Sequence, residues 1–134
     1  MPYNKIVTTV LGYIKDFCGA EPEFLWARSA GNAAIRHPDT KKWFAALLLN
    51  TPRRVLNLPG EGSVDILDLK CDPMMIGSLV DGKKILPGYH MNKEHWITVL
   101  LDGSVPPAEI FPLIDLSFQL TAEKKSGSKK RSTP

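Results

Sequence analysis

Apolar residues recur every three to four positions near the start of the chain, at Ile6, Val10, Tyr13, Ile14 and Phe17. Asn4 stands before this stretch and Gly19 just after it, an N-cap and a left-handed C-terminal stop. The spacing therefore predicts a helix with those five side chains on one stripe. The pattern then shortens. Segments 24–28, 33–37 and 43–49 are β-prone, and Gly31-Asn32 between the first two reads as a hairpin turn, since both residues tolerate positive φ. Two loop signals follow, at Thr51-Pro52-Arg53-Arg54 and Pro59-Gly60-Glu61-Gly62.

Period-two alternation returns over 64–71, with Leu67, Leu69 and Cys71 on one face and Ile66, Asp68 and Lys70 on the other. Asp72-Pro73 starts a short helix, the aspartate as cap and the proline where a missing N–H costs nothing, and Gly82 closes it. After a turn at Pro87-Gly88, residues 95–101 form the last strand. There Ile97, Val99 and Leu101 share the core side, leaving Trp96 and Thr98 on the other. A final helix from about residue 106 turns Ile110, Leu113, Ile114 and Phe118 inward. Pro112 inside it predicts a bend or a broken first turn. One helix, several antiparallel strands and returning helices give an α+β two-layer sandwich, with the helices packed on one face of the sheet.

Composition adds bounds. With 134 residues the chain has the size of one domain, and no apolar run reaches the ~20 residues needed to cross a bilayer. The start carries no signal-peptide pattern, so a cytoplasmic protein without a membrane partner is expected. In a reducing compartment Cys18 and Cys71 read as free, buried thiols. The net charge of +3 is unevenly spread. Residues 123–134 carry Lys124, Lys125, Lys129, Lys130 and Arg131 against Glu123. The remainder holds 12 Lys and Arg against 13 Asp and Glu. The folded part, residues 1–122, is thus nearly neutral. The Lys/Ser/Gly-rich end, residues 123–134, reads as a disordered basic tail.

Leu69-Lys70-Cys71-Asp72-Pro73, followed by Pro87-Gly88-Tyr89-His90-Met91-Asn92-Lys93-Glu94-His95-Trp96, resembles the signature of the MmcQ/YjbR family. Arg36-His37-Pro38 and Ser117-Phe118-Gln119-Leu120 fit the same pattern, which extends over about residues 3–121. Phe118, where tyrosine is more usual, and Pro112 depart from it. The resemblance implies a fold similar to the bacterial frataxin CyaY and an association with DNA binding.

The residues themselves offer several candidates. Trp96 and Lys70, with Trp26 and Arg28, are expected to meet on the sheet face away from the helices. Aromatics beside cations there would suit exposed bases, or else Trp96 simply packs beneath the 87–93 turn. His90, Asn92 and Lys93 sit on that turn, either to bind an anion or to hold the turn in shape. Arg53 and Arg54 could contact phosphate, though paired loop arginines are usually just solvated. Cys71 with His90 or His95 makes neither a convincing catalytic pair nor a zinc spacing, and the first helix lacks clustered carboxylates for iron. No metal or other cofactor is expected, and no nucleophile, base and orienting group can be assembled. DNA binding is the leading expectation. The alternative is a module binding a small molecule or a protein through a Lys70/His90/Trp96 surface, without catalysis.

Overall fold

A computed structural model describes residues 3–24 and 32–122. Five strands form one antiparallel sheet: β1 Ala33–Arg36, β2 Trp43–Pro52, β3 Ser63–Lys70, β4 Ile85–Pro87 and β5 Trp96–Leu100, in spatial order β1-β2-β3-β5-β4. Helices α1 Lys5–Cys18, α2 Pro73–Leu79 and α3 Pro107–Leu120 cover one face, so the α+β sandwich is as expected. Among the described residues, no helix is long and apolar enough to cross a membrane.

The alternation along β3 sorts the sheet into two faces. Leu67, Leu69 and Cys71 join Ile97, Val99 and Leu101 in the main core, closed by Val7, Val10 and Ile14 of α1 and Ile110 and Ile114 of α3. Ile66 goes the other way, into a second cluster with Leu56, Leu58, Val64, Leu86 and Leu100. The face opposite the helices is therefore partly covered, by the 3-10 turn at Arg53–Leu56 and by the segment after β4, whose Tyr89 packs against that cluster. Neither this 3-10 turn nor β4 is foreseen by the hydrophobic pattern, because both are single turns or three residues long.

Asn4 caps α1 by accepting from the Val7 N–H, and Gly19 ends it at φ 66°. The buried stripe is Val7, Val10, Ile14 and Cys18. Phe17 was expected in it but is 71% exposed. The stripe runs through Ile14 and Cys18 instead; Tyr13 stacks on Phe111 of α3, and Phe17 lies outside the stripe with its ring 4.7 Å from that of Tyr13. Of the expected bend or broken first turn at Pro112, the break is absent: α3 runs on through the proline, which costs one amide donor. α2 ends at Leu79 with Val80 as its C-cap, two residues before the expected Gly82. The expected strand at 24–28 and its Gly31-Asn32 turn fall mostly outside the described residues. What is seen is an isolated antiparallel bridge between Glu23 and Ala34.

Two details matter below. The Ser117 hydroxyl of α3, wholly buried, accepts from the Lys70 N–H at 2.9 Å and donates to the Phe44 carbonyl, joining β2 to β3 where their ladder ends. Beside β4, the Asp81 carboxylate accepts the N–H groups of Lys83, Lys84 and Ile85, which hold it low, at a pKa of about 2. The Ile85 carbonyl in turn accepts from the Asp81 and Gly82 N–H groups.

Candidate functional site

One row of residues runs across all five strands on the face away from the helices: Ala34, Ala46, Asp68, Thr98 and Leu86. Ala46, one of the two smallest side chains of that row, borders a hollow beside Asp68. Trp43 and Leu48 of β2 wall it along the strand, and His90 and Met91 close it from the segment after β4. Its volume is about 440 Å³ and its walls are mainly apolar, within the size range of small-molecule sites.

Asp68 stands at the floor, wholly buried. Thr98 donates its hydroxyl to Asp68 Oδ1 at 2.5 Å, and the same hydroxyl oxygen accepts the Tyr89 N–H at 2.8 Å. That chain fixes one carboxyl oxygen and leaves the other, Oδ2, without a hydrogen-bond partner among the described residues. Burial pushes the carboxyl up from its ordinary 3.8 to about 7, against the opposing pull of the Thr98 hydrogen bond and the Lys93 charge. Asp68 is thus a buried acid in the middle of a sheet, half ionised near neutrality, with one buried oxygen left unpartnered beside an apolar hollow.

The residues singled out from sequence fall around this centre in part. Lys70 and Trp96 are opposite each other in the β3–β5 ladder, both half-buried and on the expected face. Neither lines the hollow. Trp96 lies under the turn: Gly88 donates its N–H to the Trp96 carbonyl at 3.1 Å, and a Cβ placed on Gly88 would stand 2.7 Å from the Trp96 Cβ. His90 does line the hollow, exposed and at φ 64°, a conformation rare for a side-chain-bearing residue. Asn92 accepts from the Glu94 N–H at 2.8 Å, a turn-shaping contact. The Lys93 ammonium donates to the Gly88 carbonyl at 3.0 Å and so braces the same turn. Arg53 donates Nε to the Pro59 carbonyl at 2.8 Å and Arg54 is exposed; both follow the end of β2, whereas Trp43 begins it. Trp26 and Arg28 lie outside the described residues.

Sequence reasoning placed Asp68 on the correct face but passed over it, and missed Trp43 and Met91. The available signal was an acid inside the run Ile66-Leu67-Asp68-Leu69, where a central strand has no cheap place for a charge. Cys71 is a buried thiol whose pKa burial raises, with its N–H on the His95 carbonyl at 2.7 Å. Among the described residues no three His, Cys, Asp or Glu side chains stand together as metal ligands.

The quoted sequence motifs meet in space. His37 stacks on Phe118 with ring centroids 4.1 Å apart, while Lys70 and Cys71 border Trp96 and His95. The pattern of the YjbR family matches residues 15–120. The uncharacterized protein YyaQ of Bacillus subtilis is 42% identical over 112 residues, covering 84% of this chain and 94% of its own. A crystal structure of a Pseudomonas syringae protein superposes with a TM-score of 0.81 at 40% identity, over 90% of this chain and all of that one. A Deinococcus radiodurans protein, 24% identical, shares the fold with a TM-score of 0.65 over 93% of this chain and 84% of its own. With that match over most of its length, the chain belongs to the YjbR family.

Proposed function

We propose that this domain binds a small organic molecule in the hollow between β2, β3 and the segment after β4, with Asp68 as the polar anchor. The observation that carries the reading is the wholly buried carboxyl with one unpartnered oxygen at the floor of an apolar hollow. A buried polar atom left unpaired costs about 1–3 kcal/mol, and a ligand that supplies the partner recovers that cost. Small-molecule sites combine apolar walls with a few placed polar groups in this way. The 88–93 segment, braced by Lys93 and Asn92, presents His90 and Met91 from a fixed turn. The test is a thermal-shift screen of a small-molecule library against the wild-type chain and Ala46→Leu, a substitution that fills the hollow. Compounds that stabilise the first and not the second support the reading; a screen with none counts against it.

Binding to DNA is a second reading, favoured by the family resemblance and by the Lys/Arg-rich residues 123–134. The neutral body argues that such binding is mostly tail-borne. Deleting residues 123–134 should then remove most of the affinity, and the intact chain should lose affinity steeply with salt as counterion release weakens. Undiminished binding by the truncated chain at ~0.15 M salt would contradict the tail's role.

A further inference from the structure

We infer that the occupant of the hollow is a compact organic amine bound as its cation, its ammonium on Asp68 Oδ2 and its apolar body against Leu48, Trp43 and Met91. The inference rests on the small-molecule reading and narrows it to one ligand class.

Three features of the site select that class. The first is the number of free acceptors. The Thr98 hydroxyl is committed to Oδ1 and is itself held by the Tyr89 N–H, so a single buried oxygen is left to accept. A planar two-point donor such as a guanidinium wants both carboxylate oxygens, whereas an ammonium is a point donor that one oxygen serves. The second is charge. Among the described residues, no basic group forms an ion pair with Asp68; the ion pairs seen are Lys15 with Glu21 and Arg36 with Glu23. Lys93 acts on Asp68 through its charge, while its ammonium donates to the Gly88 carbonyl. A desolvated carboxylate without a contacting counter-ion is stabilised far more by a cation than by a neutral donor. An anionic ligand would meet the acid directly and is disfavoured. The third is the lining. Ala46, Leu48, Trp43 and Met91 offer apolar and polarisable surface, with room for a ring or a short branched chain.

Binding of this kind needs Asp68 ionised, so below neutrality the amine must displace a proton. The titratable groups facing Asp68 are Lys93 and His90 of the segment after β4; β2 and β5 contribute Trp43, Ala46, Leu48 and Thr98, which do not titrate in this range.

The experiment is isothermal titration of the full chain with phenethylamine and with its neutral near-isostere phenethyl alcohol, at pH 7.5 and pH 6. The amine should bind at least tenfold more tightly than the alcohol at pH 7.5. Its affinity should drop about eightfold at pH 6, the ratio of ionised Asp68 at the two values when the carboxyl titrates at about 7. Asp68→Asn should bring the two compounds to parity, and Ala46→Leu, with the carboxyl intact, should abolish both. The comparison on wild type needs no variant to fold. Equal or tighter binding of the alcohol overturns the inference, as does an amine preference that survives Asp68→Asn, or no saturable heat from the amine up to ~10 mM. Neutral library compounds that bind wild type as tightly as the amine, but not Ala46→Leu, would sink the cation and leave the site standing; finding no compound of any charge that binds wild type sinks both.

Discussion

Replacing Asp68 by asparagine isolates the cost of burying its charge. The folded carboxyl titrates at about 7 and the unfolded one near 3.8, a difference of about three units, or roughly 4 kcal/mol at about 1.4 kcal/mol per unit. Because the folded value is the higher one, the native state holds the extra proton. The penalty is absent below pH ~4, grows as pH rises, and is complete above pH ~7. Between pH 5 and pH 8 it should grow by roughly 2–3 kcal/mol. Asparagine keeps an oxygen for the Thr98 hydroxyl and carries no charge, at a pH-independent cost of about 1–3 kcal/mol for an amide group left unpaired in the hollow. The two proteins should therefore be similar near pH 5, with the variant gaining steadily to pH 8, a relative shift of roughly 8 °C in Tm. Urea unfolding of both at four pH values, followed by far-ultraviolet circular dichroism, measures the difference directly. All other titrating groups are shared and cancel. A difference constant within ~0.5 kcal/mol across that range would refute the reasoning, since it would mean an acid with ordinary solvation and a wet hollow.

Other substitutions test the supports of the site. Ser117→Ala leaves the Lys70 N–H and the Phe44 carbonyl without their shared hydroxyl and should cost about 2–3 kcal/mol by denaturant unfolding; a loss below ~0.5 kcal/mol would show that the strands simply close up. Gly88→Ala puts a methyl 2.7 Å from the Trp96 Cβ and should cost about 1–3 kcal/mol with a shift in tryptophan emission, whereas unchanged stability and emission would mean that the turn lies farther from β5. Burial raises both thiols, Cys18 to about 11, so native protein should react with a disulfide reagent far more slowly than unfolded protein; rapid labelling at pH 8 would contradict their burial.

The sheet faces were legible because a strand has only two sides. Once Leu67 and Leu69 were put inward, Asp68 and Lys70 had to face the other way. The caps of α1 and α2 were equally readable, since Asn4 and Asp72 each serve an N–H two or three residues on. The hollow was not legible, for a different reason. It is made by what is missing, the side-chain volume at Ala46, and by His90 and Met91 arriving from a segment distant in sequence. Alternation assigns a face without saying what lies over it. The same limit explains Phe17: its place in the stripe follows the period, but the buried stripe runs through Ile14 and Cys18 while Tyr13 stacks on α3. Lys70 and Trp96 drew attention through residue type, yet depth in the sheet ranks Asp68 above both.

The outer border of β4 limits how a partner can approach. In an antiparallel ladder the backbone groups of successive residues alternate sides, so Leu86 turns its pair toward β5 and Ile85 turns its pair outward. Asp81 and Gly82 already occupy both outward groups of Ile85, and Pro87 has no N–H to offer. An extended peptide laid along this border would find almost no backbone to zip onto. The molecule is thus protected there against stacking into ribbons with its own copies.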